Sequence, residues 1–484
     1  MRPTKSAITI FIFVFTLQIS AQELVTVDFV SNISRLSANL VAASQGINLD
    51  LDSGIDLFRV TYTTTGSDGA LDLASGLLML PDLIDRDLPV LVYQHGTTSG
   101  RSDVPSELNG GFQLGALFAG KGMIVLAPDY IGLGTSRGIH PYVHAETEAT
   151  AAVDFLKAIQ IFLQESEIGW NDQLFVTGYS QGGHAAMAFH NYVQEELSSE
   201  YEITASLPMS GPYDVSGTMG NLALGDEAYS FPAYIVYATL GLQAVNPNLF
   251  QNESEFFKEE YLPPIQTFID TGEELFEMNE ALISILFEQV GSSIPREMFK
   301  DSVLNAILNN DTHPLREGLR SSDLYDWTPQ APVLMLYCED DDQVPFTNST
   351  LADSTMNANG APNVEARDVS GGASLDHTAC IVPALNVGIP WLLGFIDRST
   401  PVIEINDTED LVLYPNPTQG QLSIVHNESI EQIQIYSISG SLIFSQTVGS
   451  YSHQLELGGL PEGGYLAHIF SESGLAVRKF VLAR

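Results

Sequence analysis

Residues 174–183 read LFVTGYSQGG, an apolar run typical of a strand followed by a glycine-rich turn. The turn has the pattern G-x-S-x-G, and a segment with helical spacing of apolar residues comes after it. Such a strand–turn–helix unit raises the hydroxyl of Ser180 above the sheet, and Gly178 and Gly182 permit the sharp turn because they carry no side chain. The motif predicts that Ser180 is a nucleophile. It also predicts that the N–H of Gln181, at a helix N-terminus, binds an oxyanion.

The segments around this turn alternate between strand-like and helical patterns. Unbroken apolar runs predict strands that are buried on both faces of a parallel sheet, and they lie at 89–93, 123–127, 174–177 and 333–337. Helical spacing occupies 145–163 and 184–197, whereas residues 56–80 have the pattern of a β-hairpin. This alternation indicates an α/β layered fold.

Three regions depart from the alternation. Residues 216–326 contain several helical segments and few strand-like runs, which predicts a helical insertion that caps the sheet. Residues 399–410 are polar and acidic and predict a linker. Residues 411–484 hold short alternating segments between Gly, Pro, Asn and Ser, which predict a small all-β sandwich. We therefore expect the main domain to occupy 22–398.

The N-terminal residues and the charge indicate an exported protein. Residues 1–21 combine Arg2 and Lys5 with an apolar run too short to span a membrane, so we expect a signal peptide that is cleaved before Gln22. The chain carries 19 Lys and Arg against 60 Asp and Glu, a formal net charge of −41. This charge disfavours binding to nucleic acids or to anionic membranes, and it is typical of a well-solvated surface.

A serine nucleophile needs a base to accept its proton and an acid to orient that base. With this turn, the acid and then the base follow the serine along the chain. The run at 333–337 leads into CEDDDQVP, where the spacing D-x-x-V-P favours Asp341 as the acid and leaves Asp340 and Asp342 as alternatives. His377, in LDHTAC, is the predicted base because it follows these acids and precedes a final helix.

Two further loops complete the predicted site. After the run at 89–93 the chain reads QHGTT, and the N–H of Thr97 is the leading candidate for a second oxyanion donor, with that of Thr98 as the alternative. Cys338 adjoins the predicted acid and Cys380 the predicted base, at the same end of the sheet. In an oxidising compartment we expect a disulfide between them, and two buried free thiols are the alternative.

Further motifs accompany these residues, namely APDYIGLGTS at 127–136 and HPYVHA at 140–145. Together with GYSQGG, D-x-x-V-P and DHTAC, they resemble the motifs of α/β-hydrolases of the secretory lipase and esterase type, over residues 55–397. The resemblance implies an eight-stranded, mostly parallel sheet, a helical cap, and a triad of Ser180, Asp341 and His377. The acidic run CEDDD departs from the family pattern and leaves the choice of aspartate open. Asp129 and Tyr130 match the family's PDY motif and are expected to shape the pocket floor.

The C-terminal segment carries LYPNPT, IQIYSISG, LPEGGYL and a closing RKFVL. In this order, over 411–484, the motifs resemble the C-terminal type A sorting domain of type IX secretion. The resemblance implies export across the outer membrane, removal of the tail, and the type IX secretion machinery as a partner.

The sequence thus predicts a secreted or cell-surface serine hydrolase that cleaves carboxylic esters through an acyl-enzyme. We expect a monomer that needs no metal or organic cofactor and acts on a small-molecule, lipid or polysaccharide ester. One alternative is a serine peptidase of the prolyl-oligopeptidase type, which uses the same triad. Another is a non-catalytic surface-binding module on a hydrolase fold, which the complete triad disfavours. The ester substrate stays open among triglyceride, acetylated polysaccharide and feruloyl ester.

Overall fold

The structure is a computed structural model that describes residues 24–82, 87–397, 411–437, 442–471 and 474–483. These residues divide into two compact units, before and after Ile396. The predicted signal peptide and the predicted linker lie outside the described residues. Among the residues described, no helix has both the length and the hydropathy that crossing a membrane would require.

A nine-stranded sheet forms the centre of the described part of the first unit. In chain order its strands are β1 (Leu24–Ile33), β2 (Ile55–Thr65), β3 (Leu71–Pro81), β4 (Leu88–Gln94), β5 (Ile124–Pro128), β6 (Trp170–Tyr179), β7 (Ile203–Met209), β8 (Val333–Tyr337) and β9 (Val364–Asp368). Their order across the sheet is β1-β2-β3-β5-β4-β6-β7-β8-β9. Strands β4 to β9 pair in parallel, and β1, β2 and β3 add an antiparallel edge. The predicted mostly parallel sheet is confirmed, with β1 in addition to the eight expected strands.

The apolar runs that predicted strands are all strands of this sheet. Every residue of β4 and β5 is buried, as expected for strands covered on both faces. The predicted hairpin is the antiparallel pair β2–β3. Strands β7 and β9 were not predicted: β7 mixes Thr, Ser and Pro with apolar residues, and β9 is an edge strand that alternates between buried and less buried positions.

Helices cover both faces of the sheet and form the insertion. In chain order they are α1 (Arg35–Ser44), α2 (Phe112–Ala119), α3 (Ala145–Glu165), α4 (Gln181–Glu196), α5 (Gly220–Leu224), α6 (Pro232–Val245), α7 (Glu253–Phe256), α8 (Leu262–Thr271), α9 (Leu275–Val290), α10 (Asp301–Asn309), α11 (Pro314–Arg320), α12 (Thr347–Ala358) and α13 (Ile381–Leu393). One core joins the sheet to α1, α2 and α13, and another joins it to α3 and α4. The α/β layered arrangement places the carboxyl ends of the parallel strands at one edge, where the predicted site residues follow β4, β6 and β8.

The segment between β7 and β8 is helical throughout its regular elements and has its own core. Val236, Leu240 and Leu282 belong to this core, together with Phe257 and Phe299. Because the core is separate from those of the sheet, we describe helices α5 to α11 as the cap, in the region where the sequence predicted one.

A disulfide connects the two loops that carry the predicted acid and base. Cys338 directly follows β8 and Cys380 directly precedes α13, with Cα atoms 6.0 Å apart. Both cysteines are fully buried. The predicted bridge is therefore confirmed, and the alternative of two free thiols is wrong for this pair.

The second unit is an antiparallel sheet with a small apolar core. Its strands are β10 (Val412–Tyr414), β11 (Gln421–Ser437), β12 (Leu442–Glu456), β13 (Gly463–Ser471) and β14 (Gly474–Leu482). The register of β11 against β12 shifts between Val425 and Ile430, and such bulges bend a strand. Residues from both halves of β11, such as Leu422 and Ile433, consequently share one core. The all-β character of the tail is confirmed.

Removal of the disulfide should destabilise the first unit. Cys338 and Cys380 are 42 positions apart, and a crosslink over a loop of that length contributes roughly 4 kcal/mol in the chain-entropy model. We expect the double variant Cys338→Ala/Cys380→Ala to unfold several degrees below the wild type in a thermal melt. Two titratable thiols in the denatured, unreduced wild type, or an unchanged Tm for the variant, would contradict this expectation.

Candidate active site

Ser180 occupies a strained turn between β6 and α4. Its backbone has φ 62° and ψ −125°, outside the region that residues with a side chain usually adopt. A Cβ at Gly178 would collide with the carbonyl oxygen of Gly182, and a Cβ at Gly182 would collide with that of Gln94. Glycine is therefore required at both positions. Because neither position carries a side chain, the end of β4 lies directly against the turn that holds Ser180.

His377 and Asp341 form a short hydrogen bond. The His377 Nδ1 donates to Asp341 Oδ2 at 2.6 Å, and the side chains are 7% and 1% exposed respectively. The other carboxylate oxygen of Asp341 accepts the N–H groups of Gln343 at 3.0 Å and Val344 at 2.8 Å. These three donors stabilise the ionised carboxylate and fix the imidazole ring with its Nδ1 protonated.

The neighbouring aspartates occupy different positions. Asp340 is exposed. Asp342 is also exposed, but its Oδ1 accepts the main-chain N–H of His377 at 3.2 Å. Of the three aspartates, Asp341 is the one that bonds the imidazole, and Asp342 helps to hold the loop of the base.

Tyr179 provides a further constraint on the base that the sequence did not reveal. Its hydroxyl donates to the main-chain oxygen of His377 at 2.6 Å, and the two ring centroids are 5.1 Å apart. Burial raises the pKa of Tyr179, so the hydroxyl stays protonated and able to donate. The residue before Ser180 thus holds the loop of His377, and the Cys338–Cys380 bridge ties the same loop to the loop of Asp341.

Ser180 and His377 line the same open pocket, which has a volume of about 380 Å³. The His377 Nε2 is buried and has no hydrogen-bond partner among the described residues. Since Nδ1 is bound to Asp341, Nε2 is the ring atom available to take a proton from a group in this pocket. Phe231 and Phe276 of the cap line the pocket's apolar side.

The loop after β4 lies beside the serine. A Cβ at Gly96 would be 3.2 Å from the carbonyl oxygen of Tyr179 and 3.9 Å from the Cβ of Ser180. Thr97 and Thr98, the next residues, line the open pocket, and the Thr97 hydroxyl shares a 2.8 Å hydrogen bond with Tyr142. Gln181 is the first residue of α4, where N–H groups have no partner within the helix. The loop and the helix therefore bring both predicted oxyanion donors close to Ser180.

Buried polar groups support the loop after β4. Tyr130 donates its hydroxyl to the main-chain oxygen of His95 at 2.9 Å. The Asp129 carboxylate accepts the Ser75 hydroxyl at 2.6 Å and the Ser106 N–H at 2.9 Å, and burial raises its pKa. Asp129 and Tyr130 therefore brace this loop. Neither is among the residues that line the two pockets at Ser180, so a role in the pocket floor stays a prediction.

An apolar cavity also reaches Ser180. It has a volume of about 80 Å³ and lies beneath the cap, with Ser180 and Gln181 among its lining residues. Its apolar lining includes Val215, Met219, Ala223, Leu224, Ile235 and Ala238. The serine therefore stands between an apolar cavity and an open pocket.

Comparison with known families gives two matches. Residues 114–400 match the secretory lipase family, and residues 412–483 match the secretion system C-terminal sorting domain. No curated protein sequence matches the chain.

Solved structures resemble the first unit. The rice cell wall degrading esterase LipA from Xanthomonas oryzae is 25% identical with a TM-score of 0.66, covering 77% of this chain and 97% of its own. A protein described as a hydrolase from Legionella pneumophila is 25% identical with a TM-score of 0.70, covering 78% and 99%. Candida antarctica lipase A, at 14% identity and a TM-score of 0.56, covers 74% of this chain and 78% of its own. At that identity it shares the fold alone.

The three aspartates after β8 allow a matched test of the acid. Asp341→Asn should lower kcat by roughly three to four orders of magnitude, because the amide would favour the wrong tautomer of His377. Asp340→Asn should leave kcat unchanged, since that side chain is exposed. Hydrolysis of a p-nitrophenyl ester measures both. A larger loss for Asp340→Asn than for Asp341→Asn would show that the acid is assigned to the wrong residue.

Proposed function

The chain belongs to the secretory lipase family of ester hydrolases, and from this we propose that it cleaves carboxylic esters with Ser180, His377 and Asp341 as a catalytic triad. The observation that carries the proposal is the 2.6 Å bond between His377 Nδ1 and Asp341 in a pocket that Ser180 also lines. Such a pairing leaves Nε2 as the base toward the serine, which is the arrangement that nucleophilic acyl transfer needs.

Each residue would have one role in the reaction. Ser180 Oγ attacks the ester carbonyl while His377 Nε2 takes its proton, and the N–H groups of Gln181 and Thr97 bind the oxyanion. The imidazolium passes the proton to the leaving alcohol, and an acyl-enzyme on Ser180 remains. Water activated by His377 then releases the acid. Asp341 keeps the ring oriented and stabilises its positive charge in both halves of the cycle.

The C-terminal unit indicates the location of the hydrolase, outside the cell or at its surface. The match to the sorting domain identifies a secreted or cell-surface protein that is exported through type IX secretion. We propose that the secretion machinery recognises residues 411–484, that residues 22–398 form the hydrolase, and that the hydrolase works as a monomer. A disulfide between the loops of the acid and the base suits such an oxidising location.

The two spaces beside Ser180 suggest how an ester binds. We place the acyl chain in the apolar cavity beneath the cap, because its lining offers dispersion contacts and excludes water. The alcohol then occupies the open pocket, from which it can leave after acylation. This orientation accepts a bulky or polar alcohol and limits the acyl chain to what the cavity can hold.

Ser180→Ala tests the proposed reaction. Removal of the nucleophile should lower kcat for p-nitrophenyl butyrate by about 10⁵-fold or more, since the triad acts as a unit. The fold should persist, and an unchanged thermal melt is the control. Turnover by the variant at the rate of the wild type would overturn the triad.

A matched pair of cap variants tests the acyl site. Ala238 lines the apolar cavity, whereas Ala306 is exposed on α10 and does not line it. Ala238→Phe should fill the cavity and lower kcat/KM for octanoyl esters more than for acetyl esters, whereas Ala306→Phe should leave that ratio unchanged. Equal losses for both acyl lengths in Ala238→Phe would place the acyl chain elsewhere.

A further inference from the structure

A chain of buried hydrogen bonds extends from the side chain of Gln181 into the protein. It links, in order, the Ile131 carbonyl, His140, Gln181, Glu148, His184 and the Ser322 carbonyl. None of its four side chains is more than 2% exposed. The proposed reaction uses only the main-chain N–H of Gln181 and gives these side chains no role.

The chain fixes the direction of the Gln181 amide. Its Nε2 donates to His140 Nε2 at 2.7 Å and to Glu148 Oε1 at 3.0 Å, so both amide protons are bound. On the other side of the imidazole ring, His140 Nδ1 donates to the Ile131 carbonyl at 2.7 Å, which leaves Nε2 as an acceptor. Burial lowers the pKa of His140 to about 4, so the ring is neutral at pH 7. A flipped amide would turn its oxygen toward two acceptors, which makes the observed orientation the stable one.

Glu148 is itself held by His184, which lies on α4 one turn after Gln181. The carboxylate accepts His184 Nδ1 at 2.7 Å, and His184 Nε2 donates to the Ser322 carbonyl at 2.9 Å. The Ser322 carbonyl can only accept, so His184 Nε2 carries a proton, and a second proton lies in the bond between His184 Nδ1 and the Glu148 carboxyl group. Glu148 and His184 therefore form a buried hydrogen-bonded pair with no net charge, whichever of the two atoms holds that proton.

This arrangement connects three parts of the first unit around the first residue of α4. Glu148 lies on α3, His184 on α4, and Ser322 where the cap returns toward β8. A buried pair of titratable side chains contributes little net stability compared with apolar residues of the same volume, so stability alone does not account for the Glu148–His184 pair. Apolar side chains would not orient an amide, whereas these hydrogen bonds do.

We propose that Glu148, His184 and His140 are positioning residues that hold the main-chain N–H of Gln181 in the oxyanion hole. The inference rests on the proposed ester hydrolysis. An oxyanion donor acts only when it is aimed at the place where negative charge develops, and an error of 1 Å there costs a large part of the rate. The side chain of Gln181 is fixed by its hydrogen bonds to His140 and Glu148, while its main-chain N–H is directed at the reacting carbonyl group. Loss of the anchor should weaken transition-state binding and spare binding of the ester.

Two nearly isosteric substitutions and their combination test the inference. In Glu148→Met, the amide of Gln181 and the imidazole of His184 both lose the carboxyl group that binds them, so the anchor is lost. In Gln181→Met, the anchor is removed with no change to the Glu148–His184 pair or to the main-chain N–H. Each single variant should lower kcat roughly tenfold or more, with KM changed less than about twofold. In the double variant, Glu148→Met should add little to the loss caused by Gln181→Met.

His190 supplies a matched control on the same helix. It is 1% exposed, packs edge-to-face against Trp327, and is not part of the chain of hydrogen bonds. His184→Gln should lower kcat at nearly constant KM, whereas His190→Gln should leave kcat within about twofold of the wild type. Thermal melts of all variants show how far each is destabilised, and Gln181→Met provides the test where a charge variant does not fold.

The outcomes separate this inference from the proposed function. Unchanged kcat in Gln181→Met, or losses that add fully in the double variant while the wild type is active, would overturn the inference alone. Absence of ester hydrolysis by the wild type would overturn the proposed function and the inference with it. A fall in kcat that the double variant does not deepen supports both.

Discussion

Close backbone contact at Gly178 and Gly182 is the constraint on which the rest of the site depends. With no side chain at either position, β6 can turn directly into α4, and the end of β4 can lie against the turn. This contact forces Ser180 to a positive φ, lets its side chain line the two pockets, and places the first N–H of α4 beside the loop of Thr97. The strain is local, and the packing of the sheet against its helices maintains it.

The second requirement is that two loops distant in sequence meet above this turn. Asp341 follows β8, and His377 precedes α13. Their contact is maintained by the disulfide beside them, by Tyr179 at the main-chain oxygen of the base, and by Asp342 at its N–H. The loop of the base is thus held by a disulfide and by main-chain hydrogen bonds with Tyr179 and Asp342, so that little reorganisation remains for the reaction itself.

Sequence patterns predicted the strands and the turn whose conformation depends on residues that are close together in the chain. Apolar runs identified β4, β5, β6 and β8, and the G-x-S-x-G turn identified Ser180 as a candidate. The sequence could not choose Asp341 over its neighbours, because spacing does not tell which carboxylate turns inward. It missed the bond from Tyr179, since the partners are 198 residues apart and a tyrosine in a strand is usually a packing residue. Strands β1, β7 and β9 were missed for a related reason, because pairing partners rather than their own residues make them strands.

Identification of the residue that an active-site reagent modifies tests the central claim most directly. A fluorophosphonate reacts with a serine only when a base activates it and an oxyanion hole binds the phosphonyl oxygen. Peptide mass spectrometry after treatment of the folded protein should find the adduct on Ser180, and Asp341→Asn should slow its formation. Modification at another serine, or none in a protein that hydrolyses esters, would contradict the account.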